Sequence, residues 1–143
     1  MNSRIDLAWI PACPLSEMER QYLEQALDQL TYDYNKAYCA LEISLETDES
    51  LRIINRQYLN HDYFTDIITF DLSLLETELQ GALYISVDRI RDHADHYAVP
   101  YKHELQRVIL HGALHLVGFD DATEEDKNQM RSQENHYLQF CST

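Results

Sequence analysis

Basic residues are scarce in this chain, which has 11 lysines and arginines against 25 aspartates and glutamates and a formal net charge of −14. Phosphate binding normally draws on a basic surface, so this balance argues against a broad face for nucleic acid, and we expect no binding to DNA. Contact with RNA would require a local patch, a metal ion or a protein partner that carries part of the binding. The acidic residues are spread over several segments, which is typical of solvated helix faces.

Cysteines are also few, and long apolar runs are absent. Cys13, Cys39 and Cys141 are odd in number, lie far apart and form no Cys-x-x-Cys pair. This spacing argues against a disulfide framework and against a cysteine metal site, and it indicates reduced thiols. No apolar run is long enough to span a membrane, and the first residues lack the form of a signal peptide. We therefore expect a cytoplasmic protein with no membrane partner.

The length and the apolar periodicity predict a single α+β domain over residues 1–143. Alternating apolar residues or β-branched runs predict strands over about residues 5–9, 41–46, 65–70 and 82–85. Capping residues and helical periodicity predict helices over about residues 17–30, 48–58, 87–97, 100–117 and 124–137. The expected fold is a small sheet of about four strands with about five helices, with helices clustered near the C-terminus.

Apolar side chains on these elements predict one shared core. The expected members come from three of the strands and from the helix that begins near Pro100. They are Leu45, Ile67, Phe70, Leu83, Ile85, Val108, Ile109 and Leu116.

Two histidines four residues apart, His111 and His115, are the most informative feature of the chain. At this spacing both rings lie on one face of a helix and can converge on one ion. Gly118 is well placed to end that helix, and Asp120 or Asp121 could then return to the same point. Two imidazoles and a carboxylate leave one position of a tetrahedral zinc ion open, which is what catalysis needs. The segment therefore predicts a small metal-dependent hydrolase.

A structural role for the histidine pair is the alternative, because this spacing also arises by chance. An apolar stripe that includes Leu105 and Val108 packs the helix on a core and leaves the histidines at the edge of a cleft, which favours the metal site. The helix is zincin-like in bearing its histidines four residues apart. However, the H-E-x-x-H motif of metalloproteases places its general base directly after the first histidine, and Gly112 stands there. A reaction other than peptide hydrolysis is predicted.

A second unusual segment precedes the strand at residues 65–70. His61, Asp62, Thr65 and Asp66 crowd polar groups into a loop just before buried residues. Turn chemistry, in which Asp and Thr side chains bond to the local backbone, is sufficient to explain Asp62 and Thr65. Asp66 stands at the entry of the strand and could equally line a cleft.

The two segments together carry motifs of a known family. Residues 111–121 read His-Gly-Ala-Leu-His-Leu-Val-Gly-Phe-Asp-Asp, residues 65–70 read Thr-Asp-Ile-Ile-Thr-Phe after Asn55, Tyr58 and Asp62, and residues 81–86 read Gly-Ala-Leu-Tyr-Ile-Ser. In order and spacing these pieces resemble the H-G-x-L-H-L-x-G-x-D-H, N-x-x-Y…D-x-x-T-D-V-L-S-F and G-D-I-x-I-S motifs of the YbeY family. That family comprises bacterial single-domain, metal-dependent endoribonucleases implicated in rRNA maturation and ribosome quality control.

The resemblance implies a hydrolase that acts as a zinc-dependent endonuclease on single-stranded RNA in a cleft over the sheet. It implies one divalent metal ion held by His111, His115 and a third ligand, which falls on Asp121. Its expected partners are rRNA and the ribosome or ribosome-associated proteins, and its expected process is ribosome biogenesis. The substrate-binding candidates are His61 and Thr65, and the catalytic candidates are Asp120 and Asp66.

The chain departs from the family pattern at two positions. Asp121 replaces the family's third histidine, and this anionic ligand removes a unit of positive charge and can accept other divalent ions. Leu59 replaces an arginine, which removes a natural phosphate clamp. Two alternatives therefore stay open: a non-catalytic ribosome-assembly factor with a structural metal, and a metallohydrolase of another small substrate.

Overall fold

The computed structural model describes residues 5–141, so both ends of the predicted domain, residues 1–4 and 142–143, lie outside the described residues. Four strands and five helices confirm the predicted α+β fold class. The strands are β1 (Ile5–Ile10), β2 (Tyr38–Glu46), β3 (Ile67–Asp71) and β4 (Glu78–Ser86). The helices are α1 (Glu17–Asp33), α2 (Asp48–Leu59), α3 (Val87–Tyr97), α4 (Tyr101–Leu116) and α5 (Glu124–Leu138), followed by a 3-10 turn (Gln139–Cys141).

The four strands form one sheet in the order β1-β2-β4-β3. β1 pairs parallel with β2, and β2 pairs parallel with β4, because helical crossovers separate each of these strands from the next. β3 and β4 are joined by a short loop and pair antiparallel at the edge of the sheet. Within residues 5–141, no helix combines the length and the apolar content that crossing a bilayer requires.

Side-chain caps begin the helices where the sequence predicts them. Ser16 and Glu19 form the reciprocal capping box of α1. Thr47 accepts a hydrogen bond from the backbone of Ser50 and begins α2. Ser86 caps α3 in the same way. These bonds satisfy backbone N–H groups that would otherwise have no partner in the first turn, so each cap selects where its helix starts.

Two glycines lie where helix α4 packs on strand β4 of the sheet. A Cβ atom at Gly112 of α4 would lie 2.8 Å from Leu83 Cδ2 on β4. A Cβ atom at Gly81 of β4 would lie 2.6 Å from Leu116 Cδ1 on α4. Both separations are shorter than carbon atoms tolerate, so a larger side chain at either position requires a leucine of the other element to shift. At Gly81 the added atom would also lie 2.8 Å from the Phe70 carbonyl oxygen, which belongs to the backbone. Gly112 thus serves packing at the position where a metalloprotease has its base.

The predicted core is correct for seven of its eight members. Leu83, Ile85, Val108 and Ile109 are buried in the main cluster, and Leu45, Ile67 and Leu116 are partly buried against it. Phe70 was assigned wrongly: it lies on the opposite face of the sheet, edge-to-face with Tyr58 and Tyr84. The reason is the strand period of two, since Ile67 pairs with Ile85 whereas Phe70 pairs with Ala82, three residues along and on the other side.

Candidate metal centre

His111 and His115 lie on the last turns of α4, and their Nε2 atoms are 3.1 Å apart. Asp121 returns to the same point after the helix ends. Its Oδ2 atom lies 3.4 Å from His111 Nε2 and 3.5 Å from His115 Nε2. The three side chains are partly buried and form a group that could hold a metal ion.

A Schellman motif turns the chain back after α4. Gly118 has a φ of +109°, a left-handed conformation that favours glycine. The Phe119 N–H donates to the carbonyl of Leu114, and the Gly118 N–H donates to that of His115. The Phe119 ring then packs edge-to-face on Tyr34, the C-cap residue of α1, which anchors the turn. This local structure is what brings the carboxylate of Asp121 back to the two imidazoles.

The other nitrogen of each imidazole is already bound. His111 Nδ1 is 2.7 Å from Glu134 Oε2, and His115 Nδ1 is 2.9 Å from the Phe119 carbonyl oxygen. A carboxylate and a carbonyl oxygen can only accept, so both rings donate from Nδ1, which leaves Nε2 to face the common point. Partners of this kind orient metal-binding histidines in proteins.

The three facing atoms fit a tetrahedral metal ion in number, type and separation. Atoms bound about 2.0 to 2.1 Å from a tetrahedral zinc ion lie about 3.3 to 3.4 Å from one another. The separations in this chain are 3.1, 3.4 and 3.5 Å. Two imidazole nitrogens and one carboxylate oxygen also form a donor set that zinc accepts, with one position of the tetrahedron left over.

Glu134 of α5 raises the pKa of His111. Burial lowers the pKa of His111, but the hydrogen bond and charge of Glu134, together with the charges of Asp66 and Asp121, outweigh burial and hold that pKa above its ordinary value. Burial raises the pKa of Glu134, and the hydrogen bond from His111 together with Arg107 outweighs it, so the pKa of Glu134 is lowered. Arg107 Nη1 lies 2.7 Å from Glu134 Oε1 and keeps this buried carboxylate paired.

Two clefts meet at His111 and Asp121. The first, about 450 Å³ in volume, runs between the edge strand β3 and the loop before it, and Leu59, His61, Thr65 and Asp66 line it. The second, about 270 Å³, opens between α3, α4 and α5. Asp66, His111 and Asp121 border both clefts. The group of three is therefore accessible from two sides.

The remaining candidate residues of the sequence analysis differ in whether they line a cleft. Asp66 lines both clefts, and its charge acts on His111. His61 and Thr65 line the first cleft. Asp120 is exposed and borders neither cleft, and its Oδ1 accepts a hydrogen bond from the Asp121 backbone. Asp120 therefore supports the turn, whereas Asp66 lies in the clefts beside His111.

Sequence reasoning missed Glu134 and Arg107, which hold His111 in place. A signal was present, because Glu134 lies among Met130, Tyr137 and Leu138 on the buried face of α5. A charged residue on an apolar stripe requires a partner inside the protein, and here the partners are His111 and Arg107.

Known proteins are similar to this chain in sequence and in fold. A family model described as endoribonuclease YbeY matches residues 10–142. Endoribonuclease YbeY of Flavobacterium psychrophilum is 48% identical over 93 residues, which are 65% of this chain and 66% of that protein. Endoribonuclease YbeY of Bacteroides thetaiotaomicron is 36% identical over 124 residues, which are 87% of this chain and 90% of that protein.

A solved structure has the same fold. The solution structure of TM1509 from Thermotoga maritima superimposes with a TM-score of 0.65 over 96% of this chain and 88% of that chain, at 21% identity. At that identity the likeness concerns the fold alone. The family model spans nearly all of the described residues, and one relative is more than a third identical over most of both chains. The chain therefore belongs to the endoribonuclease YbeY family.

Proposed function

We propose that this chain, as one domain over residues 1–143, is a zinc-dependent endoribonuclease that cuts single-stranded RNA during rRNA maturation and ribosome quality control. The observation that carries the proposal is the convergence of His111 Nε2, His115 Nε2 and Asp121 Oδ2 where two open clefts meet. Membership of a family of endoribonucleases supports RNA as the substrate.

The chain's own side chains hold and orient the site. When bound, a zinc ion supplies Lewis-acid polarisation of a phosphate ester and makes water more acidic. Glu134 and the Phe119 carbonyl fix the tautomers of His111 and His115, so both rings present a lone pair. Asp66 borders both clefts at the start of β3, where its backbone carbonyl accepts a hydrogen bond from Ser86. We assign to Asp66 the role of accepting the proton that the attacking oxygen loses.

The first cleft suits unpaired bases better than phosphates. His61 and Tyr63 stack with ring centroids 5.2 Å apart, and the Tyr63 hydroxyl is 3.0 Å from His61 Nδ1. Both residues line the cleft, together with the polar side chains of Asn55 and Thr65, and no lysine or arginine of the described part of the chain does. Aromatic faces of this kind bind bases by stacking, which is open only to bases that are not already paired in a duplex.

The ribosome is the partner that the charge of the chain favours. A net charge of −14 repels free RNA, and Leu59 in the first cleft removes the cation that would offset this repulsion. RNA presented on a ribosomal particle, or by a protein bound to it, does not depend on long-range attraction. Zinc is the proposed ion because imidazole nitrogens dominate the donor set, although the carboxylate also admits other divalent metals.

Asp66→Asn tests the proposed chemistry. We expect the variant to keep its metal content and to cleave small-subunit rRNA about 100-fold more slowly, because the amide cannot accept the proton. The matched control is Asp71→Asn, which removes another carboxylate of the first cleft that does not border the second. The assay compares wild type and both variants, each loaded with zinc or stripped with a chelator.

The outcomes of this assay are distinct. Cleavage by zinc-loaded wild type that stops on chelation supports a metal-dependent nuclease. Intact rRNA with both forms of the wild type, both as free rRNA and within small-subunit particles, would contradict the proposal and favour a non-catalytic assembly factor. Equal rates for Asp66→Asn and Asp71→Asn would remove Asp66 from the mechanism and leave the metal centre standing.

Glu134→Gln tests how His111 is positioned. The amide oxygen can still accept from His111 Nδ1, but the negative charge that strengthens this bond and pairs with Arg107 is lost. We expect zinc affinity, measured by competition with a chromogenic chelator, to fall about 10- to 100-fold. Glu125→Gln, an exposed position on the same helix, should leave the affinity unchanged. Equal affinities for the two variants would show that Glu134 does not act on the metal site.

A further inference from the structure

We propose that Lys127 and Arg131 of α5 form a phosphate-binding subsite on the second cleft, which holds the RNA backbone beside the metal centre. The inference rests on the proposed function and adds to it the path of the bound RNA across the protein. This subsite explains how a chain with a net charge of −14 binds a polyanion.

The second cleft is continuous with the metal centre. It shares Asp66, His111 and Asp121 with the first cleft. Lys127 and Arg131 form part of its opposite wall. An RNA strand that fills the first cleft and passes over the metal centre therefore enters the second cleft next.

One face of α5 connects the two cations to the metal centre. Lys127 and Arg131 are four residues apart and Glu134 follows three residues later, so all three lie on one side of the helix. Glu134 bonds to His111. Because a helical turn rises about 5.4 Å, Arg131 lies about one turn and Lys127 about two turns from the residue that touches a proposed metal ligand.

The two cations are free to bind a phosphate, whereas the third cation of this cleft is not. Lys127 and Arg131 have side chains 57% and 59% exposed, and their nearest carboxylates are 3.8 and 3.9 Å away. The pair of Lys127 with Glu124 is exposed on both sides, and such pairs contribute little and exchange readily. The carboxylate near Arg131 is the buried Glu134, which Arg107 already holds at the shorter distance of 2.7 Å. Arg107 is 19% exposed and binds Glu134 at 2.7 Å, so it belongs to the support of His111.

The first cleft provides the contrast. Its lining includes the carboxylates of Asp66, Asp71 and Asp121 and, among the described residues, no lysine or arginine. The second cleft is also lined by carboxylates, but three cations, Arg107, Lys127 and Arg131, lie among them. Phosphates are repelled in the first cleft, while the stacked rings of His61 and Tyr63 attract bases. The bound RNA thus places its bases in the first cleft and its phosphate backbone along the two cations of the second cleft.

The test is binding of a single-stranded decaribonucleotide to Lys127→Gln/Arg131→Gln over a salt series. A chelator is present so that no strand is cut, and fluorescence anisotropy is followed to millimolar protein. Each phosphate contact on a single strand contributes about 0.7 to the slope of log K against log salt. We expect the double variant to bind about tenfold more weakly at low salt, with a slope less negative by about 1.4.

The matched control is Arg20→Gln/Lys102→Gln, which removes two exposed cations that also pair with nearby carboxylates but border neither cleft. It has the same net charge as the test variant, so long-range repulsion is equal in both. We expect its slope to match that of the wild type. Equal slopes for the two double variants would overturn the subsite.

A second arm locates the contact on the RNA. A neutral methylphosphonate is moved along the decaribonucleotide, one linkage at a time. We expect wild type to lose affinity at one or two linkages and Lys127→Gln/Arg131→Gln to lose none there, which a merely structural role of the two residues would not produce. Identical profiles for wild type and variant would overturn the subsite, while zinc-dependent cleavage by wild type would leave the nuclease in place. Wild type that neither binds nor cleaves RNA would contradict both.

Discussion

His111→Ala/His115→Ala is expected to abolish metal binding and, with it, RNA cleavage. The two Nε2 atoms supply two of the three facing donors, 3.1 Å apart, and a single carboxylate in an open cleft does not retain zinc. We expect zinc content by atomic emission to fall from about one ion per chain to background, and cleavage of rRNA to become undetectable.

The fold should survive this double substitution, because both imidazoles are partly exposed at the end of α4, with side chains 21% and 27% accessible. Circular dichroism checks this point. The matched control is His96→Ala/His136→Ala, which removes two exposed histidines outside both clefts. Equal zinc content in the two double variants would contradict the proposed ligands.

The same measurement separates the two adjacent carboxylates. Asp121 Oδ2 faces both imidazoles, whereas Asp120 is exposed and bonds to the Asp121 backbone. We therefore expect Asp121→Asn to lose zinc and Asp120→Asn to keep it. The reverse result would mean that the turn places the other carboxylate at the ion.

Ile109→Asp is expected to destabilise the fold strongly. Ile109 is completely buried where α4 packs on the sheet, so a carboxylate there would lie in the core without a partner. We expect the free energy of unfolding, measured in urea, to fall by about 4 kcal/mol, against a total of about 5 to 15 kcal/mol for a domain of this kind.

Two substitutions serve as controls for this prediction. Ile109→Val keeps the site apolar and should cost about 1 kcal/mol. Ile53→Asp, at a position 38% exposed on α2, should cost less than the buried substitution because the carboxylate stays hydrated. A midpoint unchanged in Ile109→Asp would show that this face of α4 is assigned wrongly.

The sequence by itself determined the local features of this protein. The capping box of Ser16 and Glu19, the end of α4 near Gly118 and the shared face of His111 and His115 all depend on residues within about five positions of one another. Backbone sterics and short hydrogen bonds decide such features, and the same chemistry operates wherever the pattern occurs. The helical spacing alone was therefore enough to predict a candidate metal site.

The sequence predicted the helices more accurately than it predicted which face of each strand meets the core. In β3, apolar residues occupy both Ile67 and Phe70, and composition alone does not tell which side meets the core. Pairing with β4 decides it, because Ile67 lies beside Ile85 and Phe70 beside Ala82. A strand reverses its faces with each residue, so a single step of register changes every assignment.

Only the tertiary structure decided what surrounds the histidines. Glu134 reaches His111 from 23 residues along the chain, and the charge of Asp66, just before β3, also acts on His111. The same packing of α5 on α4 brings Lys127 and Arg131 to the second cleft. No local rule sets these distances, because they follow from how the buried faces of α4, α5 and the sheet fill space together, and that depends on the whole core at once.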